Sequence, residues 1–191
     1  MTQKMKLGLC AAGFVALFAI VTVAYNNLGG AVKQNAALAQ RQGDASDSAA
    51  GRQKAPDFVM TDQNGEEVTL SGFIANGRPV VLNFWASWCP PCVIEMPDFD
   101  KVYRETGSEI QFMMVNLADG QRETVEKGAQ FIKKNDFSFP VFFDTRQEGA
   151  YAYGIRAIPT TLFIDTDGYI ITSAQGAIDE MTLRREIDRI R

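Results

Sequence analysis

The stretch Pro79–Pro97, PVVLNFWASWCPPCVIEMP, constrains this chain more than any other. Val80, Val81, Leu82, Phe84 and Trp85 make a near-continuous apolar run, the pattern of a central α/β strand buried on both faces. Two cysteines spaced C-x-x-C follow, Cys89 and Cys92. Pro90 and Pro91 between them suit the first turn of a helix, where an N–H group would have no intrahelical partner and its loss costs little. The pattern predicts strand, short loop and helix, with Cys89 at or just before the helix N-terminus and Cys92 one turn in. Unpaired N–H groups and the helix dipole favour negative charge at that point. A thiolate at Cys89 is therefore stabilised, and its pKa is drawn below the free value of roughly 8.5. Cys92 is close enough to attack a mixed disulfide on Cys89 and release the partner, which is thiol–disulfide exchange. Pro90 and Pro91 also withhold two amide donors from the Cys89 sulfur. That argues against the extreme thiolate stabilisation of a strong oxidant.

Other uses of a C-x-x-C pair fit less well. Structural zinc needs four ligands, usually from a second C-x-x-C or paired histidines. The chain has three cysteines and no histidine, so neither a metal site nor a cofactor is expected. Cys–His and Ser–His catalysis and His-ligated haem are excluded on the same count. A purely structural disulfide closing so short a loop would remove little chain entropy. A formal net charge of −4 over 191 residues gives no reason to expect a nucleic-acid partner. The length suits one ordinary domain with a tail.

The tail is at the front. Lys4 and Lys6 precede an uncharged, mostly apolar run from Leu7 to Ala24, and the next charge is Lys33. A run of about 18 apolar residues reaches across the hydrocarbon core of a bilayer, whereas a cleavable signal has a core of roughly 7–15. Thr22-Val23-Ala24 offers a weak cleavage site, and either reading exports the domain. Residues 1–25 are read as a signal-anchor whose leading lysines stay in the cytoplasm. Cys10 inside the run is a small apolar filler. Residues 26–54 lack the large apolar side chains a core requires and are read as a linker. Residues 55–191 are the folded domain.

Within that domain, Phe58–Met60 and Val68–Leu70 flank Asp62-Gln63-Asn64-Gly65, a hairpin signal. Glu109–Leu117 reads as a second buried strand and Arg122–Lys134 as a helix with Val125, Ala129 and Ile132 at helical spacing. Phe139–Phe143 reads as a short strand. Gln147–Tyr153 reads as a helix closed by Gly154. Ile158–Ile164 and Tyr169–Ser173 read as a hairpin about Asp165-Thr166-Asp167-Gly168. Asp179 can N-cap a last helix carrying Leu183, Ile187 and Ile190. This order gives an α/β fold: a mixed sheet with helices on both faces.

W-C-P-P-C after an apolar strand resembles the active site of the thioredoxin superfamily. The likeness runs from about Ala55 to the C-terminus. It is carried by A-P-D-F at 55–58, N-F-W-A-S-W-C-P-P-C at 83–92, E-M-P at 95–97 and I-P-T-T at 158–161. The N-terminal hairpin and the helix and strand at 122–143 resemble the TlpA/ResA branch, membrane-anchored thiol–disulfide oxidoreductases. The resemblance implies a thioredoxin fold with an N-terminal β-hairpin and a central helix–strand insertion, after one transmembrane helix. It implies an exposed attacking Cys89 and a buried resolving Cys92. Glu95, three residues after Cys92, would take the Cys92 proton, with a pKa raised by semi-burial. Thioredoxin itself has a buried Asp on the preceding strand, where this chain has Asn83. Pro159 is expected in the cis form, facing the cysteines, with Ile158 lining the docking surface. Trp88, Pro90 and Pro91 join that surface, Trp88 either as a platform for partners or packed on the helix.

The implied activity is reduction of disulfides in extracytoplasmic proteins, apocytochrome c or copper-site proteins among them. The domain would be tethered to the cytoplasmic membrane and recharged by a membrane electron donor of the DsbD or CcdA type. Three alternatives stand beside it. One is a dithiol oxidant of the same fold. Another is a Cu(I)-binding chaperone using Cys89 and Cys92, although Met60, Met96, Met113 and Met114 read as core. The third is a peroxidase, whose domains can also begin A-P-D-F; Ala86 stands where T-x-x-C would need threonine before Cys89.

Overall fold

The computed structural model describes residues 52–191. The expected signal-anchor, and the expected linker apart from residues 52–54, lie outside the described residues. In chain order the elements are β1 (Gln53–Lys54), β2 (Val59–Thr61), β3 (Glu67–Thr69), α1 (Leu70–Ile74), β4 (Val80–Trp85), α2 (Pro90–Thr106), β5 (Gln111–Asn116), α3 (Val125–Asn135), β6 (Val141–Phe143), α4 (Glu148–Ala152), β7 (Thr160–Ile164), β8 (Tyr169–Gln175) and α5 (Glu180–Asp188). The strands form one sheet in the order β1-β8-β7-β4-β5-β6-β2-β3. β4, β5 and β6 run parallel, and every other pairing is antiparallel. This is a thioredoxin-like α/β fold.

All six residues of β4 are buried, as its unbroken apolar run requires. Successive side chains leave opposite faces of a strand. Val80, Leu82 and Phe84 join Met113, Val115, Leu162 and Ile164 in one core layer, covered by α1 and by Tyr153 after α4. Val81 and Trp85 join Phe112, Met114 and Phe163 in the other, covered by α2, α3 and α5. The four methionines at 60, 96, 113 and 114 are buried in these layers.

Local chemistry sets the turns. Asp62 Oδ1 accepts from the N–H groups of Asn64 (2.8 Å) and Glu66 (2.9 Å), and Gly65 takes a φ of 86° that L residues avoid. The hairpin is not an appendage: Thr61 pairs with Phe143, so it extends the main sheet. Its A-P-D-F lead-in is tied down at three points. Phe58 packs near Phe84 and Tyr153, the Tyr153 hydroxyl donates to the Pro56 carbonyl (2.8 Å), and Asp57 accepts from the Ser71 N–H (2.8 Å).

Several boundaries differ from the sequence reading. Gln53 and Lys54, read as linker, pair with β8 through their backbone, and the Lys54 ammonium lies 4.8 Å from the centroid of the Tyr169 ring. α1 was not foreseen; Thr69 caps it by accepting from the Gly72 N–H. The helix expected from Arg122 starts at Val125, because Thr124 caps it and residues 119–123 turn instead. α4 ends at Ala152, and Gly154, at φ 58°, sits beyond the Tyr153 cap. β7 begins at Thr160 rather than Ile158, since Pro159 has no N–H for a ladder. Asp179 caps α5 as expected, accepting from the Thr182 N–H.

Candidate active site: a disulfide at the N-terminus of α2

Cys89 is the N-cap of α2, with extended backbone, and the two prolines occupy the first helical positions. The first amide free to reach its sulfur is that of Cys92, which donates to Cys89 Sγ at 3.3 Å. A charge-assisted form of this bond favours a Cys89 thiolate. The two sulfurs are joined as a disulfide. The Ile158–Pro159 bond is cis, and the Ile158 carbonyl oxygen lies 3.5 Å from Cys89 Sγ. A reduced thiol has the proton to donate there, and the disulfide makes only a contact. Pro159 is buried and Ile158 partly so.

One expectation is corrected. Cys89 is 3% exposed, nearly as buried as Cys92 at 0%. The Ile158–Pro159 turn lies against its sulfur, and the core layer beneath α2 holds both cysteines. The open surface around the site comes from neighbours: Trp88 at 39% exposed, Pro90, Pro91 and Ile94. Trp88 does not pack into the core. Trp85 does.

Beneath the cysteines lies a row of polar groups that strand alternation places on the α2 side. Asn83 lies between Val81 and Trp85 on that face and pairs with Thr161 of β7. Its amide Nδ2 lies 2.9 Å from both Glu95 Oε1 and Thr161 Oγ1. Glu95 Oε2 accepts from the Ile178 N–H at 3.0 Å. Glu95 is 2% exposed. Burial dominates its titration and pushes its pKa up to about 7, although the Ile178 and Asn83 donors pull the other way. The direction is the one expected; the burial is more complete than the sequence suggested. A carboxyl poised near neutrality, one turn beyond a thiol, can exchange protons with it at physiological pH.

The structure thus gathers Cys89, Cys92, Glu95, Ile158 and Pro159 at one end of β4 and β7, with Trp88, Pro90 and Pro91 on the rim. The sequence reading missed Thr161, Ile178, Ser87 and Glu123. Ser87 lies inside the motif, two residues before Cys89. Its N–H and hydroxyl both reach the buried Glu123 carboxylate. The parity of β4 and β7 was a usable signal for Thr161; nothing local marks the other three.

Residues 52–173 match the AhpC/TSA family. The chain belongs to this family. The chain is 36% identical over 140 residues to thiol-disulfide oxidoreductase ResA of Bacillus thuringiensis subsp. konkukian (strain 97-27), spanning 72% of this chain and 76% of that protein. It is 32% identical over 136 residues to thioredoxin-like protein YneN of Bacillus subtilis (strain 168), spanning 71% and 78%. Solved structures agree. StoA from Bacillus subtilis superimposes with a TM-score of 0.59 at 30% identity, covering 69% of this chain and 96% of that one. The pneumococcal exposed lipoprotein thioredoxin Etrx1 gives 0.61 at 27%, covering 70% and 99%. Within the AhpC/TSA family, this protein is therefore a thiol–disulfide oxidoreductase of the ResA/StoA type.

Proposed function

We propose that this protein is an exported, membrane-tethered reductase of protein disulfides. The observation that carries the reading is the Cys89–Cys92 disulfide at the capped start of α2, facing the Ile158 carbonyl, with Glu95 buried one turn on. In the reduced protein the Cys89 thiolate attacks one sulfur of a partner's disulfide. A Cys89–partner bond forms, and the second partner sulfur leaves as a thiolate and takes up a proton. Glu95 then takes the proton of Cys92. The Cys92 thiolate attacks Cys89 Sγ, the mixed disulfide breaks, and the partner's first sulfur leaves reduced. Two electrons have passed to the partner, and the Cys89–Cys92 disulfide remains.

Each cycle consumes the dithiol. An oxidising compartment cannot restore it, so the electrons come from a thiol protein of the membrane, of the DsbD or CcdA type. Residues 1–25 would hold the domain on the outer face of the cytoplasmic membrane, in the periplasm or its equivalent. The partner would lie in an extended form along Ile158, whose backbone is open for strand-like pairing, against Trp88, Pro90 and Pro91. Apocytochrome c and the copper-binding subunits of oxidases are the substrate classes that fit. Both present pairs of cysteines that must be reduced before they can bind their cofactor.

The reduction potential of the Cys89–Cys92 pair, found by equilibration with a dithiol buffer, tests the direction. A value near or below about −220 to −260 mV supports a reductant. A value near about −120 mV reverses the direction and makes the protein a disulfide donor.

A further inference from the structure

The connection between β5 and α3 carries two residues that the exchange steps above do not use. Both touch the loop that ends in Cys89. Glu123 is fully buried. Its Oε1 accepts from the Ser87 N–H (3.1 Å) and from Asn116 Nδ2 (2.7 Å), and its Oε2 accepts from the Ser87 hydroxyl (2.7 Å). All three partners are neutral donors, and both carboxyl oxygens act as acceptors, as they do in a carboxylate. Burying a carboxylate is costly unless hydrogen bonds replace its water. Here two of the three replacements come from a single residue, two positions before the nucleophile.

Arg122, one position earlier, lies over Trp88, the residue between Ser87 and Cys89. Its guanidinium carbon is 3.4 Å from the Trp88 ring centroid, well inside cation–π range. The connection is itself fixed. Asp119 Oδ1 accepts from the N–H groups of Gln121 (2.8 Å) and Glu123 (3.0 Å), and the Gly120 N–H donates to the Glu123 carbonyl (2.9 Å). Consecutive residues of one loop thus grip consecutive residues of the other.

We propose that Glu123 and Arg122 are positioning residues of the exchange reaction, a clamp on Ser87 and Trp88 that fixes how Cys89 and the Trp88 ring are presented to a partner. The inference rests on the dithiol reading above. Exchange needs the attacking sulfur in line with the partner's S–S bond, and a loop free to wander lowers the fraction of encounters that are in line. Glu123 restrains the backbone at Ser87. Arg122 covers one face of Trp88 and leaves the other, on a side chain 39% exposed, for the partner.

The test uses the reduced full-length chain. It compares rates of exchange with a folded protein disulfide and with oxidised glutathione, alongside tryptophan emission and melting temperature. Glu123→Gln replaces an acceptor with an NH2 group that opposes the Ser87 or Asn116 donors, and is expected to slow both reactions about tenfold. Ser87→Ala removes one bond from the other end and is expected to slow them about threefold, should the first variant fail to fold. Arg122→Ala is expected to slow the protein reaction more than the glutathione reaction and to shift the Trp88 emission. Arg122→Lys, which keeps the cation, should recover most of both. A Trp88→Phe background separates Trp88 emission from that of Trp85. Wild-type rates in Ser87→Ala and Arg122→Ala, or losses no larger than the loss of folded protein, overturn the clamp. Equal defects in Arg122→Ala and Arg122→Lys overturn the role of the cation. Failure of the parent reading looks different: the wild-type chain itself would then not exchange with either disulfide.

Discussion

Glu95 has lost almost all contact with water, and the hydrogen bonds it receives from Asn83 and Ile178 do not repay that loss. Its pKa of about 7, against 4.5 for the free group, makes the residue a proton carrier and also a pH-dependent load on the fold. Between those two pH values the folded chain holds a proton that the unfolded chain has released. Stability therefore falls as pH rises from about 4.5 to about 7, and levels off above that. At 1.36 kcal/mol per unit, the full effect is roughly 3 kcal/mol. Urea unfolding of the oxidised protein at pH 5 and pH 8 should show Glu95→Gln gaining on the wild type by about that amount at the higher pH. Parallel pH profiles would mean that Glu95 is not the group responsible. The same substitution removes the acceptor proposed for the Cys92 proton. Resolution of the mixed disulfide should slow by about 10², with Cys89 attack less affected. Rapid-quench trapping would show the mixed disulfide persisting. Cys92→Ser should make it permanent and Cys89→Ser should prevent it. Exchange that survives in Cys89→Ser would remove the order of attack proposed here.

Among the elements, those whose chemistry is local were legible in the sequence. β4 declares itself by its apolar run, α2 by its prolines, the β2–β3 and β7–β8 turns by Asn64-Gly65 and Asp167-Gly168, and α5 by Asp179. β1 was not legible: two polar residues with no periodicity are held by backbone pairing to β8 and by Lys54 over the Tyr169 ring, some 115 residues on. Neither was α1, five residues long and too short for a helical pattern to register. Half-buried Ser87 and buried Glu123 are 36 positions apart, and their meeting depends on the parallel pairing of β4 with β5. Cys89 was misread as exposed because its cover is the Ile158–Pro159 turn, some seventy residues away in the chain. Caps and core differ in what they contribute, and α2 and α5 allow the comparison. Asp179→Ala removes a single cap bond to Thr182 and should cost about 1 kcal/mol. Met96→Ala empties a fully buried site under α2 and should cost about 2–5 kcal/mol. Chemical denaturation ranks the two. Equal costs would mean that the α2–α5 layer closes readily over a cavity at Met96.

At the scale of the whole molecule, the proposed reductase gains from the proposed anchor. A soluble reductant released into an oxidising space is oxidised once and then idle. A reductant held at the membrane meets its electron donor again after each cycle, because a shared surface raises the local concentration of both. Under the proposed tethering, residues 1–25 are part of the chemistry rather than an address label. The full chain should therefore sediment with the membrane fraction, resist extraction by salt and alkaline carbonate, and come into solution with detergent. A fragment of residues 52–191, which carries both core layers and the AhpC/TSA match, should remain in the supernatant with the same Cys89–Cys92 potential. In vesicles holding a membrane thiol donor, the anchored form should stay reduced through repeated additions of a disulfide substrate, and the fragment should stop after one turnover per molecule. If the two forms turn over alike, diffusion in solution is enough to recharge the dithiol, and the anchor has no part in the redox cycle.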